Sequence, residues 1–403
     1  MPALTAVESS TLATRREDLL RFAAGSVHRE GGFAWLDQSG RAELDRPVEA
    51  WITCRMTHVF ALAALQADRA APALLDHGVR ALRGRLRDPQ FGGWFASVDA
   101  DGPVLADKRA YEHAFVLLAA SSATAAGHED GAALLEDAIA MFEQRFWREQ
   151  DGLVVDVWDR SWTDLEDYRG VNANMHTVEA LLAVHDVTGE RRWLSRAHRI
   201  VERVVHGFAR DHGWRLPEHF TASWRPRLDY HRDQPAHPFR PYGVTIGHLL
   251  EWSRLALHLR AALGSEAPGW LLEDARALFA RAVADGWHVD GADGFVYTTD
   301  FEAEPVVRDR LHWVVAEGIA AAWTLAEVTD DDDYLRWYGR LWDYADSFLI
   351  DQDRGSWHHE LDPQNRPADS VWSGKPDVYH AYQAALLPTL GTLTSFAGAL
   401  RAS

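Results

Sequence analysis

A histidine and a carboxylate, His248 and Glu251, lie three residues apart in the segment RPYGVTIGHLLEW at positions 240–252. Pro241 and Gly243 interrupt any preceding regular structure, and an apolar stripe follows, so the pair should lie near the start of an amphipathic helix. Residues three apart share a helix face, and the two side chains should point the same way. Imidazole titrates near neutral pH, which suits general acid–base chemistry.

Similar polar sets recur along the chain where apolar helices are predicted to begin. The sets are Arg55 with His58, Tyr111 with His113, His176 with Glu179, His248 with Glu251, His312 with Glu317, and His380 with Gln383. For any single histidine, a hydrogen-bonded core residue or a helix-terminal charge is the ordinary alternative. Independent core histidines have no reason to repeat in phase, so the six sets predict one functional site.

Metal binding is the main chemical alternative, because HxxE at 176–179 and at 248–251 offers nitrogen and oxygen ligands. The usual zinc pattern HExxH and the di-iron pattern ExxH are both absent. The chain also lacks GxSxG, GxxxxGKS and a GxGxxG after a strand. We therefore expect acid–base catalysis without metal or cofactor, in which Arg55 would stabilise a developing oxyanion.

The elements that position these residues repeat along the chain. Glycine turns occur at Gly32, Gly93, Gly152, Gly213, Gly294 and Gly355, separated by 61, 59, 61, 81 and 61 residues. Each turn precedes a short alternating run typical of a β-hairpin and then two helical stretches. The predicted helices are 10–28, 48–67, 71–86, 110–125, 131–147, 172–187, 191–210, 243–263, 268–285, 309–327, 332–349 and 377–396.

The first helix of each pair is small and apolar on most sides, whereas the second carries charges on one face, which indicates buried and peripheral helices respectively. Six such pairs predict an all-α fold, an (α/α)6 barrel forming a single domain over residues 1–403, with β-hairpins and loops at the active-site mouth. The polar sets would then converge on one axis. An open α-solenoid is the alternative. The extra residues before His248 should line or cover the mouth.

Composition excludes several classes of partner. The 403 residues carry a formal net charge of −19, which argues against nucleic acid and anionic membranes. The single cysteine, Cys54, is typical of a reducing compartment, and no apolar run resembles a signal peptide or a membrane span. We expect a cytoplasmic protein. The 18 tryptophans could stack on a polyol, although core packing is the commoner role.

Five segments together resemble the N-acylglucosamine 2-epimerase superfamily, and within it the mannose isomerase and sulfoquinovose isomerase group. They are WITCRMTHVF (51–60), RAYEHAF (109–115), VNANMHTVEALL (171–182), RPYGVTIGHLLEW (240–252) and PDVYHAYQA (376–384). The resemblance extends from about residue 30 to 390. It implies an (α/α)6 barrel and metal-free isomerisation through a cis-enediol, with a monosaccharide as the substrate.

The resemblance also implies roles for single residues. His380 would move the proton between C2 and C1, and His248 would act in ring opening or as the second acid–base group. Positions that hold sugar hydroxyls or steady the histidines match Arg55, Tyr111, Asn172, His176, Glu251 and Gln383. Glu317 matches a supporting glutamate, although its surrounding LHWVVAEG departs from the family pattern. Trp51 and Arg240 are further candidates for sugar contacts.

These observations predict an aldose-ketose isomerase that interconverts D-mannose and D-fructose. A sugar 2-epimerase would use the same histidines, and a sulfoquinovose isomerase would need cations such as Arg240 or Arg225 near the sulfonate. An (α/α)6 glycoside hydrolase would instead need paired carboxylates at the mouth. A non-catalytic sugar-binding barrel would tolerate the loss of His380.

Overall fold

The computed structural model describes residues 3–391 and 393–402. The predicted domain, 1–403, and the predicted last helix, 377–396, each include positions outside the described residues. Thirteen α-helices form nearly half of the described chain. They are α1 (Ala6–Ala23), α2 (Ala50–Leu65), α3 (Ala71–Arg83), α4 (Ala110–Ala125), α5 (Gly131–Met141), α6 (Asn172–Thr188), α7 (Arg191–Val201), α8 (Ile246–Leu263), α9 (Trp270–Gly286), α10 (His312–Thr329), α11 (Asp332–Tyr344), α12 (Tyr379–Leu386) and α13 (Phe396–Ala402).

Short strands connect the helices. They are β1 (Val48–Glu49), β2 (Ser97–Asp99), β3 (Gly102–Leu105), β4 (Lys108–Arg109), β5 (Trp147–Arg148), β6 (Leu153–Val154), β7 (Val157–Trp158), β8 (Tyr168–Gly170), β9 (His219–Thr221), β10 (Val244–Thr245), β11 (Thr298–Thr299), β12 (Pro305–Val307), β13 (Arg310–Leu311) and β14 (Glu360–Leu361). Helices α5, α7 and α11 continue into π-helical turns at Phe142–Phe146, Glu202–Ala209 and Ala345–Leu349.

The predicted last helix is wrong in length. Helix α12 ends at Leu386 and gives way to a 3-10 turn, Leu387–Thr389, before α13 begins at Phe396. Pro388 has no N–H to extend the helical ladder, and Gly391 has a φ of +67°, which lies outside the helical region. Within the predicted stretch 377–396, α12 therefore covers Tyr379–Leu386, and α13 begins only at the last predicted residue, Phe396.

The chain divides into two compact units. The N-terminal unit is mainly Leu20–Ile200, with Pro376–Tyr379 and α13; the C-terminal unit is mainly Val201–Lys375, with the start of α1 and the segment from His380. The single domain expected from the sequence remains a prediction.

In the N-terminal unit, α2, α4 and α6 pack side by side, while α3 and α5 pack against α2 and α4. Helix α2 is buried from Ala50 to Ala63, and its many alanines allow close approach on all sides. Helix α3 instead buries one face, which includes Leu75, Val79 and Leu82. The predicted distinction between buried and peripheral helices is confirmed here.

The C-terminal unit repeats this arrangement. Helices α8 and α10 lie side by side, α9 packs on α8, and α11 packs on α10. Both inner helices are buried over most of their length, including Trp252 in α8 and Trp323 in α10. Peripheral α11 buries one face, with Leu341 and Trp342 turned inward.

The strands form small antiparallel sheets next to the inner helices. In the N-terminal unit the sheets are β1-β2-β3, β4-β7 and β5-β6, and in the C-terminal unit they are β10-β11-β12 and β13-β14. Strand β1 pairs Val48 with Val98, and β13 pairs Arg310 with Leu361. The pairs β2-β3, β5-β6 and β11-β12 are local hairpins, as predicted. The pairs β1-β2, β4-β7, β10-β11 and β13-β14 instead join strands that lie in successive repeats.

Each of four inner helices has its first N–H capped by a main-chain carbonyl from the following hairpin. The bonds are Ala50 N to Ala96 O (2.9 Å), Ala110 N to Asp156 O (2.8 Å), Ile246 N to Tyr297 O (3.1 Å) and His312 N to His359 O (3.1 Å). No side-chain cap occurs at these four positions. These carbonyls therefore satisfy one of the four N–H donors that the start of a helix leaves without an intrahelical acceptor.

The repeated glycine turns have a common backbone conformation. Gly32, Gly93, Gly152, Gly213, Gly294 and Gly355 all have φ between +61° and +103°, a region that glycine enters at little cost. At Gly294 a Cβ would also lie 2.5 Å from the Tyr344 hydroxyl oxygen. Backbone geometry explains why glycine recurs in each repeat.

Among the helices of the described chain, none combines the length and hydropathy needed to cross a membrane.

Candidate active site

His380, in the first turn of α12, is buried and hydrogen-bonded to a carboxylate on α10. Its Nδ1 atom lies 2.8 Å from Glu317 Oε1. The carboxylate oxygen is the hydrogen-bond acceptor, so Nδ1 carries the proton. In the neutral ring, Nε2 then keeps its lone pair. The ring is therefore oriented to act as a base through Nε2.

Glu317 is held in its ionised form by a buried arginine. The Nε atom of Arg254, on α8, donates to Glu317 Oε2 at 2.7 Å, and both side chains are almost fully buried. Burial alone would raise the pKa of the Glu317 carboxyl, but the Arg254 guanidinium and the hydrogen bond from His380 hold that pKa well below its usual range.

Glu251 lies beside the same arginine, with its Oε1 atom 3.7 Å from Arg254 Nη2. Ligand atoms of Glu251, Glu317 and His380 lie within 4.8 Å of one another, a spacing that could hold a metal ion. The guanidinium of Arg254, however, already supplies a positive charge against both carboxylates, and a divalent ion would be repelled by it. We therefore assign no metal to this cluster.

His248 forms a second histidine–carboxylate pair, with a different partner from the one expected. Its Nδ1 atom lies 2.9 Å from Glu218 Oε1, and both side chains are buried. Glu251, which lies one turn further along α8, is instead beside Arg254. Glu218 precedes β9 and was not identified from the sequence.

Trp313 contacts both catalytic candidates. Its ring centroid lies 5.3 Å from that of His248 and 5.7 Å from that of His380. The neighbouring His312 stacks on His359 at 3.7 Å, and its Nδ1 lies 3.3 Å from the His359 carbonyl oxygen. In the C-terminal unit, Trp313 thus lies against His248 and His380, which pair with Glu218 and Glu317 respectively.

In the N-terminal unit, Arg55 is held by polar and aromatic groups. Its Nη1 atom lies 3.3 Å from Asp377 Oδ2, and its Nη2 donates to the Tyr111 hydroxyl at 3.0 Å. The guanidinium also lies over the rings of Trp51, Phe115 and Tyr379, at 4.6 to 5.0 Å from the centroids. This rigid cation can stabilise a developing negative charge.

His176 lies next to this cluster on α6. Its ring packs against Tyr111 at 5.2 Å and Phe115 at 4.5 Å, and its Nδ1 lies 3.8 Å from Glu179 Oε2. Glu179 also accepts a hydrogen bond from the Tyr379 hydroxyl. The structure thus places Tyr111 and His176 together with Arg55.

The remaining predicted residues occupy varied positions. Asn172 begins α6, Trp51 is buried against Trp35 with ring centroids 6.0 Å apart, and Gln383 is buried on α12 one turn after His380. Arg240 is half-buried in the long segment before β10, where its carbonyl lies 2.7 Å from Nδ1 of His231. The role of that segment in sugar selection remains a prediction.

Two of the six recurring histidines are structural. His58 Nδ1 lies 2.7 Å from Ser122 Oγ, and burial lowers the pKa of His58 to about 4. His113 Nδ1 lies 2.7 Å from the Arg109 carbonyl oxygen, and burial lowers its pKa to about 3. Both rings are fully buried and stay neutral. Their phase in the repeat reflects core packing.

Comparisons with known proteins identify the family of this chain. A family model described as N-acylglucosamine 2-epimerase (GlcNAc 2-epimerase) matches residues 31–384. A D-mannose isomerase from Thermobifida fusca is 56% identical over 384 residues, covering 95% of this chain and 94% of the relative. A D-mannose isomerase from Pseudomonas cannabina pv. alisalensis is 48% identical over 393 residues, covering 96% of this chain and 94% of the relative.

Among solved structures, a crystal structure of D-mannose isomerase matches with a TM-score of 0.89 at 29% identity, covering 96% of this chain and 99% of that one. Together with the paired helices and short hairpins described above, this likeness confirms the predicted all-α, (α/α)6 fold class.

Proposed function

This chain belongs to the N-acylglucosamine 2-epimerase family, and we propose that it is an aldose-ketose isomerase that interconverts D-mannose and D-fructose. The observation that carries the proposal is the His380–Glu317 pair, which orients a buried imidazole through its Nδ1 atom. The two relatives that cover most of the chain support mannose as the aldose.

The proposed reaction moves one carbon-bound proton. His380 removes the proton from C2 of the open-chain aldose, which forms a cis-enediol, and returns it to C1 to give the ketose. The C2 proton is weakly acidic, so the base must act together with groups that stabilise the charge on the enediolate oxygens. Arg55 supplies that stabilisation, and Tyr111, Asn172, His176 and Gln383 bind sugar hydroxyls.

His248 is the second acid–base group. Paired through Nδ1 with Glu218, it presents Nε2 to donate or accept a proton. This group opens the sugar ring and then passes the hydroxyl proton from O2 to O1, so that the overall reaction conserves every proton. Trp313 provides a flat apolar surface against which a sugar ring can stack.

The proposed mechanism uses no metal and no cofactor. An enediolate needs positive charge or hydrogen-bond donors, and Arg55 and the histidines provide both. The substrate is a free monosaccharide. We also propose a cytoplasmic location, which the single, free and buried Cys54 supports because such a protein needs no oxidising compartment.

The test is to incubate the protein with D-mannose in D2O and to follow C1 and C2 by NMR. An isomerase produces fructose that carries solvent deuterium at C1 when exchange accompanies transfer. A 2-epimerase, which protonates C2 from the opposite face, would instead produce glucose labelled at C2. Absence of both product and exchange would exclude both activities for mannose.

A further inference from the structure

The strongest unassigned feature is Arg254, a buried cation between two buried carboxylates next to the proposed base. It lies one turn beyond Glu251 on α8, its side chain is 1% exposed, and it reaches Glu317 on α10. A buried charge is costly to desolvate, and one without a structural or chemical role is rarely kept in an interior. Its position therefore calls for a role in the site.

We propose that Arg254 is a positioning residue that acts through Glu317. Its guanidinium holds the carboxylate that orients His380 and offsets the negative charge of that carboxylate, so that His380 stays a neutral base. This inference rests on the proposed function of His380. Each carboxylate oxygen of Glu317 binds one partner. Oε2 accepts a hydrogen bond from Arg254 Nε at 2.7 Å, and Oε1 accepts one from His380 Nδ1 at 2.8 Å.

The electrostatic reason follows from the geometry. A buried carboxylate 2.8 Å from an imidazole would by itself favour the imidazolium form, which cannot accept the C2 proton. Arg254 opposes this tendency because its positive charge is close to the same carboxylate. Burial would raise the pKa of Glu317, but the positive charge of Arg254 and the hydrogen bond from His380 lower it. The carboxylate therefore remains ionised between these two partners.

Other charged and titratable groups of the C-terminal unit also face this site. They are Glu251 from α8, which is 3.7 Å from Arg254, and His312 from α10, whose ring centroid is 6.4 Å from that of His380 and which stacks on His359. Two carboxylates and one guanidinium leave a net negative charge around His380. Removal of Arg254 would make this net negative charge larger, so the titration midpoint of His380 should rise.

The experiment follows the ring nitrogens of His380 by NMR during a pH titration of the ¹⁵N-histidine-labelled protein, with the signal assigned by its loss in His380→Gln. In Arg254→Met, which keeps the apolar stem, we expect the titration midpoint of His380 to rise by about one pH unit, a tenfold change in proton affinity. In Arg254→Lys, which keeps the charge, the midpoint should stay close to that of the wild type.

A matched control is Arg310→Met. Arg310 is equally buried and its guanidinium is paired with Asp290, so its loss also removes a buried ion pair. This control should lower Tm and leave the His380 midpoint unchanged. In turnover of mannose, Arg254→Met should lower kcat more than it raises KM, because the substitution acts on the base and removes no sugar contact.

An unmoved midpoint in folded Arg254→Met would overturn the proposal. If that variant does not fold, the double variant Arg254→Met/Glu317→Gln replaces the buried pair with neutral groups. Its midpoint should fall below that of the wild type, because the nearest anion is lost, and an equal or higher midpoint would also overturn the proposal. The NMR readout needs no sugar, so failure of the proposed function would appear separately, as absence of mannose turnover by the wild type.

Discussion

The Nδ1 atom of His248 lies 2.9 Å from the Oε1 atom of Glu218, a residue thirty positions earlier in the chain. The same relationship joins His380 and Glu317 at 2.8 Å. In each pair, a carboxylate binds the Nδ1 atom of the imidazole, and Nε2 is the nitrogen proposed to exchange a proton with the substrate. This common arrangement supports two acid–base groups in one site.

Replacement of Glu218 by Gln should lower kcat by about 10- to 100-fold, the usual cost of losing an orienting partner. The amide still offers an oxygen but no charge to stabilise the imidazolium, and its NH2 group can bind in the wrong orientation. Steady-state kinetics with D-mannose measures the effect. Glu273→Gln, an exposed position on α9, is the control, and a wild-type kcat in Glu218→Gln would remove Glu218 from the mechanism.

Replacement of His380 by Asn should lower kcat by about 10² to 10⁴, the usual contribution of a general base. The substitution keeps a hydrogen-bonding group next to Glu317 but cannot accept a proton from C2. Loss of deuterium exchange at C2 in D2O should accompany the loss of turnover. His185→Asn, near the end of α6, serves as the control. Turnover within a few-fold of the wild type would move the base to another residue.

Arg55→Lys should lower kcat/KM by about 10- to 100-fold, less than the 10²- to 10³-fold cost of removing an oxyanion-stabilising donor altogether. Lysine keeps the charge but cannot bond Asp377 and Tyr111 together through a planar fork. Arg46→Lys is a matched control, because Arg46 also lies over a tryptophan ring, that of Trp35, at 3.6 Å. Equal losses in both variants would argue against a specific role for Arg55.

The buried His58 should make stability depend on pH. Burial lowers its pKa to about 4, whereas an unfolded histidine titrates near ~6.5. The unfolded chain therefore binds an extra proton as the pH falls through this window, so stability decreases from about pH 6.5 towards pH 4 and is unaffected above it.

The measurement compares Tm against pH for the wild type and His58→Gln. The variant should start from a lower Tm and lose less of it between about pH 7 and about pH 5. His288→Gln, a surface position, controls for the general effect of removing a histidine. Parallel curves for wild type and His58→Gln would show that His58 titrates normally in the folded protein.

Activity should persist in excess chelator, because Arg254 supplies the positive charge between Glu251 and Glu317 where a metal ion would otherwise bind. Turnover of mannose is measured before and after dialysis against EDTA. Loss of activity that returns on addition of a divalent metal would contradict metal-free isomerisation.

Much of the fold was predictable because its signals are local and repeated. The glycine turns require positive φ, and the alanine-rich inner helices require burial on all sides, so both features recur in the sequence at regular intervals. The end of the last helix was missed because the interruption at Pro388 lies within a continuous apolar run.

The candidate site was less predictable, because its polar partners come from distant segments. Glu218 lies in an irregular stretch, and nothing near it in the sequence indicates that it meets His248. Arg254 resembles an ordinary i,i+3 partner of Glu251. The histidines at His58 and His113 were overinterpreted, since their hydrogen-bond partners, Ser122 and a backbone carbonyl, become evident only in the packed structure.

The first turns of three inner helices place histidines at the same electrostatic pole. His248 and His312 lie in the first turns of α8 and α10, and His380 lies in the first turn of α12. The aligned peptide dipoles give each helix a partial positive charge of roughly half a unit at this end. That field favours negative charge, so the backbone itself adds positive potential where the proposed enediolate would bind.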